Sequence, residues 1–133
     1  MRDVISFRLD FDPPTVTAQE QKVQVVNGKP KIYFPKNLRA ARDLYINSLK
    51  KHSPKEPLEG PIKLIVGWEF QSTKSHPSGS WRTTKPDTDN LQKLLRDCMT
   101  FTGFWIDDSQ VVLEIVGKRW SDNPGICIKV VPL

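Results

Sequence analysis

Apolar and polar residues alternate from Val4 to Phe11, with Ile5, Phe7, Leu9 and Phe11 on one side, until Pro13-Pro14 stops the run. A period of two marks a half-buried strand. Lys22–Val26 and Lys31–Phe34 flank Asn27-Gly28, a dipeptide that strongly favours a type I′ hairpin, and Pro35 closes the second arm. The period then changes. From Lys36 to Lys51, Leu38, Ala41, Tyr45 and Leu49 recur at helical spacing while Arg39, Asp43 and Lys50 fall elsewhere, which predicts an amphipathic helix. His52–Pro61 holds three prolines and a glycine and reads as a loop.

Ile62–Phe70 is almost continuously apolar and is the natural central strand. Gln71–Pro86 has no periodicity and is rich in Ser, Thr, Gly, Pro and basic residues; loops of that length tend to be functional or mobile. Leu91, Leu94, Leu95 and Cys98 line one face of a helix from Asp87 or Thr88 to Thr102, with Gly103 placed to end it. Gln110–Trp120 and Gly125–Val131 are two further strands, joined by a turn at Asp122-Asn123-Pro124-Gly125. The order is βββ-α-β-α-ββ, without repeats or a linker, so one domain over residues 1–133 is expected. The class is α+β with a mixed sheet, because the strand–helix–strand unit from 62 to 119 calls for a right-handed parallel crossover.

Composition narrows the classes. A chain of 133 residues suits one ordinary domain, and four Trp with six Phe argue against global disorder. No stretch approaches the ~18 apolar residues of a membrane span, and the first twenty residues lack the apolar region of a secretion signal. Cys98 and Cys127 cannot form a disulfide scaffold, no His or Cys stands at zinc spacing, and both cysteines read as small core residues. A soluble cytoplasmic protein with no membrane partner is expected.

Charge, split along the chain, adds a picture of partners. Residues 28–63 hold nine Lys/Arg against three acids, and residues 71–86 carry Lys74, Arg82 and Lys85 with no acid. Residues 87–108 reverse the sign, with five Asp (87, 89, 97, 107 and 108) against Lys93 and Arg96. A basic surface holds phosphates, and clustered carboxylates hold a cation that approaches one of them. Patchy surface charge with no function is the plain alternative.

The informative segment is Lys85-Pro86-Asp87-Thr88-Asp89-Asn90-Leu91-Gln92-Lys93, followed after one helix by Asp107-Asp108-Ser109-Gln110. Pro86 keeps the helix from starting before about Asp87, so Asp87 and Asp89 occupy its entry turn, where the helix dipole favours negative charge. Asp89 and Lys93 stand i,i+4 on one face, extended by Arg96 and Asp97, with the Leu face turned to the core. The ends of such a helix are ~20 Å apart. One site would need the loop Gly103–Ile106 to double back and bring Asp107-Asp108 to the helix's N-terminal half. Each part also has an ordinary reading: Asp87 or Asp89 as a cap, Asp107-Asp108 as a turn, Lys93 as a surface ion-pair partner, and Lys74, Arg82 and Lys85 as solvated loop charges. Trp81 among those cations is harder to dismiss, since an exposed Trp stacks on bases. His52 and His76 stand alone.

Lys-Pro-Asp-x-Asp-Asn-Leu-x-Lys, an apolar helix containing Asp97, then Gly103 and Asp107-Asp108-x-Gln110-Val111, resembles the RusA family of Holliday junction resolvases of bacteria and prophages. The close match spans about residues 85–120, and Phe11-Asp12-Pro13-Pro14-Thr15 is loosely similar to the family's early Pro-Pro segment. The resemblance implies a homodimeric endonuclease that binds four-way junction DNA and nicks two strands symmetrically in recombination and repair. Its cofactor would be Mg²⁺, for which Mn²⁺ could substitute. It implies Asp87, Asp89 and Asp108 as metal-binding catalytic carboxylates with Asp107 close by, Lys93 as the essential lysine, and Asn90 within the same motif. The DNA-binding set expected around them is Lys74, Trp81, Arg82, Lys85 and Asn90, with Arg39, Lys50 and Lys51 from the first helix.

The chemistry agrees: an all-Asp donor set suits a hard cation, and Lys93 could neutralise charge developing on a phosphate. Two other classes compete. One is a non-catalytic nucleic-acid-binding protein whose aspartates are caps and turns. The other is a Mg²⁺-dependent phosphoryl-transfer enzyme acting on a nucleotide, disfavoured because no glycine-rich phosphate loop is present.

Overall fold

The structure, a computed structural model, describes residues 3–16, 22–33 and 36–133. In chain order the elements are β1 (Ile5–Leu9), β2 (Lys22–Val26), β3 (Lys29–Tyr33), α1 (Lys36–Leu49), β4 (Ile62–Gln71), α2 (Thr88–Phe101), β5 (Val111–Ser121) and β6 (Gly125–Pro132). This is the expected order and the α+β class. The expected end of the hairpin at Phe34 and Pro35 lies outside the described residues.

Four strands form one sheet in the order β1-β6-β4-β5, and β2-β3 form a separate two-stranded sheet. The turn between β2 and β3 places Asn27 at φ 53° and Gly28 at φ 75°, the left-handed pair a type I′ turn requires. β4 pairs parallel with β5 and antiparallel with β6, and β6 pairs antiparallel with β1. The sheet is therefore mixed, with β4 inside it.

Side chains of β4 alternate strictly: Ile62, Leu64, Val66, Trp68 and Phe70 are buried. They share one core with Leu38, Ala41, Tyr45 and Leu49 of α1 and with Leu91, Leu94, Leu95, Cys98 and Met99 of α2. α1 packs on α2, so both helices cover one face of the sheet. Burial of each Leu in such a core is worth ~2 kcal/mol. No described helix is long and apolar enough to cross a membrane.

Cys98 is a core residue, as expected; Cys127 is not. On β6 the buried residues are Ile126, Ile128 and Val130, so Cys127 falls on the opposite face. There it lines an open cavity of about 580 Å³ with Phe7, Arg8, Ile65 and Gly67.

The long loop expected to be functional or mobile is tied along β5. Gly79 N–H donates to the Trp120 carbonyl (2.8 Å), Trp120 N–H to Ser80 (2.9 Å) and Arg82 N–H to Lys118 (3.0 Å). One irregularity shapes the site: Ile62 pairs with Val111 but Lys63 pairs with Leu113, which leaves Val112 bulged out. Beyond it Leu64 stands opposite Glu114, and because Leu64 faces the helices, Glu114 and Lys118 do too. Leu113 and Ile115 are turned outward and are 54% and 58% exposed.

Candidate active site

α2 opens at Asp87, whose backbone is extended (φ −70°, ψ 151°) and whose side chain makes no capping hydrogen bond. Asp87 and Asp89 are exposed at the entry turn, so neither carboxylate is consumed by closing the helix. Pro86 is buried, and the Lys85–Pro86 peptide is cis. Lys118 reaches from β5 to this turn, its Nζ donating to the carbonyls of Thr84 and Pro86 at 2.8 Å each. Burial and the neighbouring Arg82 lower its pKa, against the opposing pull of Asp87.

Lys93 is exposed and forms no salt bridge with Asp89 or Asp97. The ion-pair reading of Lys93 therefore lacks a partner within bonding reach. Asn90 is half-buried beside it. One polar residue of α2 points inward: Gln92 is 2% exposed. Its Oε1 accepts from the Trp68 indole N–H at 2.6 Å, and its Nε2 donates to the Glu114 carboxylate at 2.9 Å. Glu114 lies 3.7 Å from the Arg96 guanidinium, and Arg96 Nε lies 4.0 Å from Asp108.

Asp107 and Asp108, adjacent in sequence, serve different ends. Asp107 caps a single 3₁₀ turn over Asp108–Gln110, its Oδ1 accepting from Ser109 N–H at 2.9 Å. Those hydrogen bonds with Ser109 hold its carboxyl below the usual range. Gln110 completes the turn by accepting from the Ile106 and Asp107 N–H groups and donating to the carbonyls of Leu58 and Gly60. Asp107 is thus occupied as a turn residue, while the Asp108 side chain is 39% exposed beside Arg96. Asp97 is drawn into the same field: burial first, then Asp108, push its pKa up, while Lys93, Arg42 and Arg96 oppose.

The loop Gly103–Ile106 doubles back only part of the way. Phe104 and Trp105 are buried at the C-terminal end of α2, and the Trp105 indole N–H donates to Thr100 Oγ1 at 2.7 Å. Asp108 consequently meets α2 at Arg96, nine residues from Asp87, or ~13 Å along the helix axis. Among the described residues no three His, Cys, Asp or Glu side chains converge to enclose a metal ion. The donor set still fits a hard divalent cation, because Mg²⁺ is commonly held by one or two carboxylates, with water and substrate phosphate filling the rest.

Of the expected DNA-binding residues, Lys74 and Lys85 are exposed on the loop before α2. Trp81 is 65% exposed and rests against Gly117, with the Arg119 guanidinium 4.8 Å from its ring centroid. Arg82 turns inward, stacked 4.3 Å over Phe70 and 4.5 Å over Trp120, and donates to the Lys85 carbonyl. Arg39, Lys50 and Lys51 are exposed on or just beyond α1. The two histidines pack on rings, His52 on Phe7 and His76 on Trp120.

Sequence reasoning missed Gln92, Glu114 and Lys118. A signal existed: Gln92 interrupts the Leu face, and Glu114 and Lys118 share a parity within the otherwise apolar run Val111–Lys118.

The model of the RusA endodeoxyribonuclease family matches residues 13–131. Over 109 residues, 80% of this chain and 81% of the relative, the sequence is 33% identical to a crossover junction endodeoxyribonuclease of Lactococcus phage r1t. It is also 25% identical to the uncharacterized protein YqaN of Bacillus subtilis (strain 168), with 96% of each chain covered. With a matched span that runs from before the hairpin through the acidic helix to the last strand, the chain belongs to the RusA family of endodeoxyribonucleases, enzymes that require a divalent metal.

Proposed function

We propose that this enzyme resolves four-way DNA junctions by paired hydrolytic nicks and uses Mg²⁺, with Mn²⁺ as a substitute. The observation that carries the reading is that Asp87, Asp89 and Lys93 are exposed on the first turns of α2 and Asp108 keeps a partly exposed carboxylate beside Arg96, in a chain whose phage relative is named for crossover-junction cleavage. Asp87 and Asp89 at the entry turn and Asp108 beside Arg96 would each offer a carboxylate to a divalent cation, and Asp107 orders the turn that presents Asp108. A divalent cation bound there supplies charge neutralisation and an acidified water.

Lys93, one turn from Asp89, places its ammonium where charge develops on the scissile phosphate. Lys85 and Asn90, which flank Asp87 and Asp89 in sequence, and the exposed Lys74 would bind the backbone, while Trp81 offers a face for base stacking. Arg39, Lys50 and Lys51 extend the positive surface. Arg82 acts indirectly, by holding the loop that carries Trp81 and Lys85. The place of action is the cytoplasm, where the DNA is.

Two opposed nicks require two sites, which a C₂ homodimer supplies. The hairpin β2-β3 is a candidate interface: Val25 is 73% and Val26 39% exposed, and an isolated two-stranded sheet gains from being covered. Light scattering at micromolar concentration measures this directly; a monomer that cuts both strands in one encounter would refute it.

A synthetic four-way junction compared with linear duplex, in Mg²⁺ or chelator, tests the activity. Symmetric nicks confined to the junction with Mg²⁺ are expected. Metal-independent binding without cleavage would replace this reading with the non-catalytic DNA-binding one.

A further inference from the structure

The Arg96 guanidinium stands between two carboxylates, 3.7 Å from Glu114 and 4.0 Å from Asp108. Its Nε is buried and has no hydrogen-bond partner. Neither carboxylate is close enough to accept a hydrogen bond from it, so the guanidinium is shared between the two as an ion-pair partner. Glu114 is in turn fixed by Gln92. The Trp68 indole can only donate, so the Gln92 amide must present Oε1 to it and Nε2 to Glu114. The chain of contacts runs from a fully buried tryptophan to the edge of the acidic site.

We propose that Glu114 is a positioning residue: anchored through Gln92 to Trp68, it retains Arg96 and keeps it from neutralising Asp108, which leaves that carboxylate open to a divalent cation. The inference rests on the reading of Asp108 as a metal-binding residue. Its physical content is a competition. A guanidinium paired to Asp108 alone would be a resident counter-ion that an incoming cation must displace, whereas one shared with Glu114 costs the cation less.

The test is Mn²⁺ binding to the DNA-free protein, followed by the electron paramagnetic resonance signal of free Mn²⁺. Glu114→Gln is nearly isosteric and keeps an acceptor for Gln92. It is expected to weaken Mn²⁺ binding ~10-fold, the lower end of what outer-shell changes cost. Adding Arg96→Met to it should return the affinity to within about twofold of wild type, because the competitor is gone. Arg96→Met alone should bind Mn²⁺ at least as tightly as wild type, which keeps the idea testable if Glu114→Gln does not fold. Wild-type Mn²⁺ binding with an unchanged Glu114→Gln affinity, or weakening that Arg96→Met fails to reverse, overturns the positioning role alone. A wild-type protein that binds no Mn²⁺ and cuts no junction overturns the resolvase reading with it.

Discussion

α1 and α2 are each 14 residues long, lie on the same face of the sheet and bury a stripe of apolar side chains in the same core. They differ in what their polar faces meet. Arg39 and Asp43 of α1 and Lys50 just past its end are exposed, while the half-buried Arg42 acts on Asp97 of α2. The polar face of α2 runs along β5: Gln92 and Arg96 reach Glu114, and Lys118 holds the turn before Asp87. Amphipathicity accounts for both helices as structure; the one flanked by a charged strand carries the proposed site.

The sharpest break between them should come from the acids. Asp87→Asn, Asp89→Asn and Asp108→Asn are each expected to lower cleavage ~1000-fold while junction binding persists; Asp43→Asn on α1 should leave cleavage unchanged. Parallel gel-shift and nicking assays measure both, and near-normal cleavage in all three α2-side variants would remove the distinction.

As packing elements the helices should be equivalent. Leu38→Ala in α1 and Leu95→Ala in α2, both fully buried, should each cost ~3 kcal/mol of unfolding free energy in urea titrations. The lysines separate them again. Lys93→Ala should lose ~100-fold in cleavage with its fold and most binding intact. Lys50→Ala should instead weaken binding a few-fold and reduce the salt slope by about one, with little change in the rate at saturating junction.

The smallest effect concerns Asp97 on α2. Its folded pKa is raised above 3.8, so the ionised form burdens the fold. That burden is absent below 3.8 and is complete once pH exceeds the raised value. Asp97→Asn, melted in chelator, should therefore raise Tm near neutral pH and leave it unchanged at pH below 3.8.

Much of this was legible in the chain because it is local. Leu38, Ala41, Tyr45 and Leu49 at helical spacing are the residues α1 buries. Asn27-Gly28 makes its hairpin, and Gly103 takes the positive φ of 89° that lets the chain leave α2. What escaped is non-local. The placing of β4 between β5 and β6 depends on pairings about fifty residues or more apart. Counting alternation from Val111 turns Leu113 and Ile115 inward, but the bulge at Val112 reverses the parity and gives the inward positions to Glu114 and Lys118. The Asp motif was readable, while the partial return of the 103–106 loop was not, because it is set by Phe104 and Trp105 finding room in the core.

The backbone bonds that join residues 79–82 to residues 118–120 make that stretch of loop a short extra rung on the sheet's edge. Segments linked this way open as one cooperative unit, so the amides of Gly79, Arg82 and Trp120 should exchange with deuterium at matching rates, slower than the unbonded amides of the same loop. A base stacked on Trp81 would then pull on β5 itself rather than on a loose flap. Because Lys118 of that strand grips the carbonyls of Thr84 and Pro86, force applied at the tryptophan reaches the backbone at Asp87 through a few stiff links.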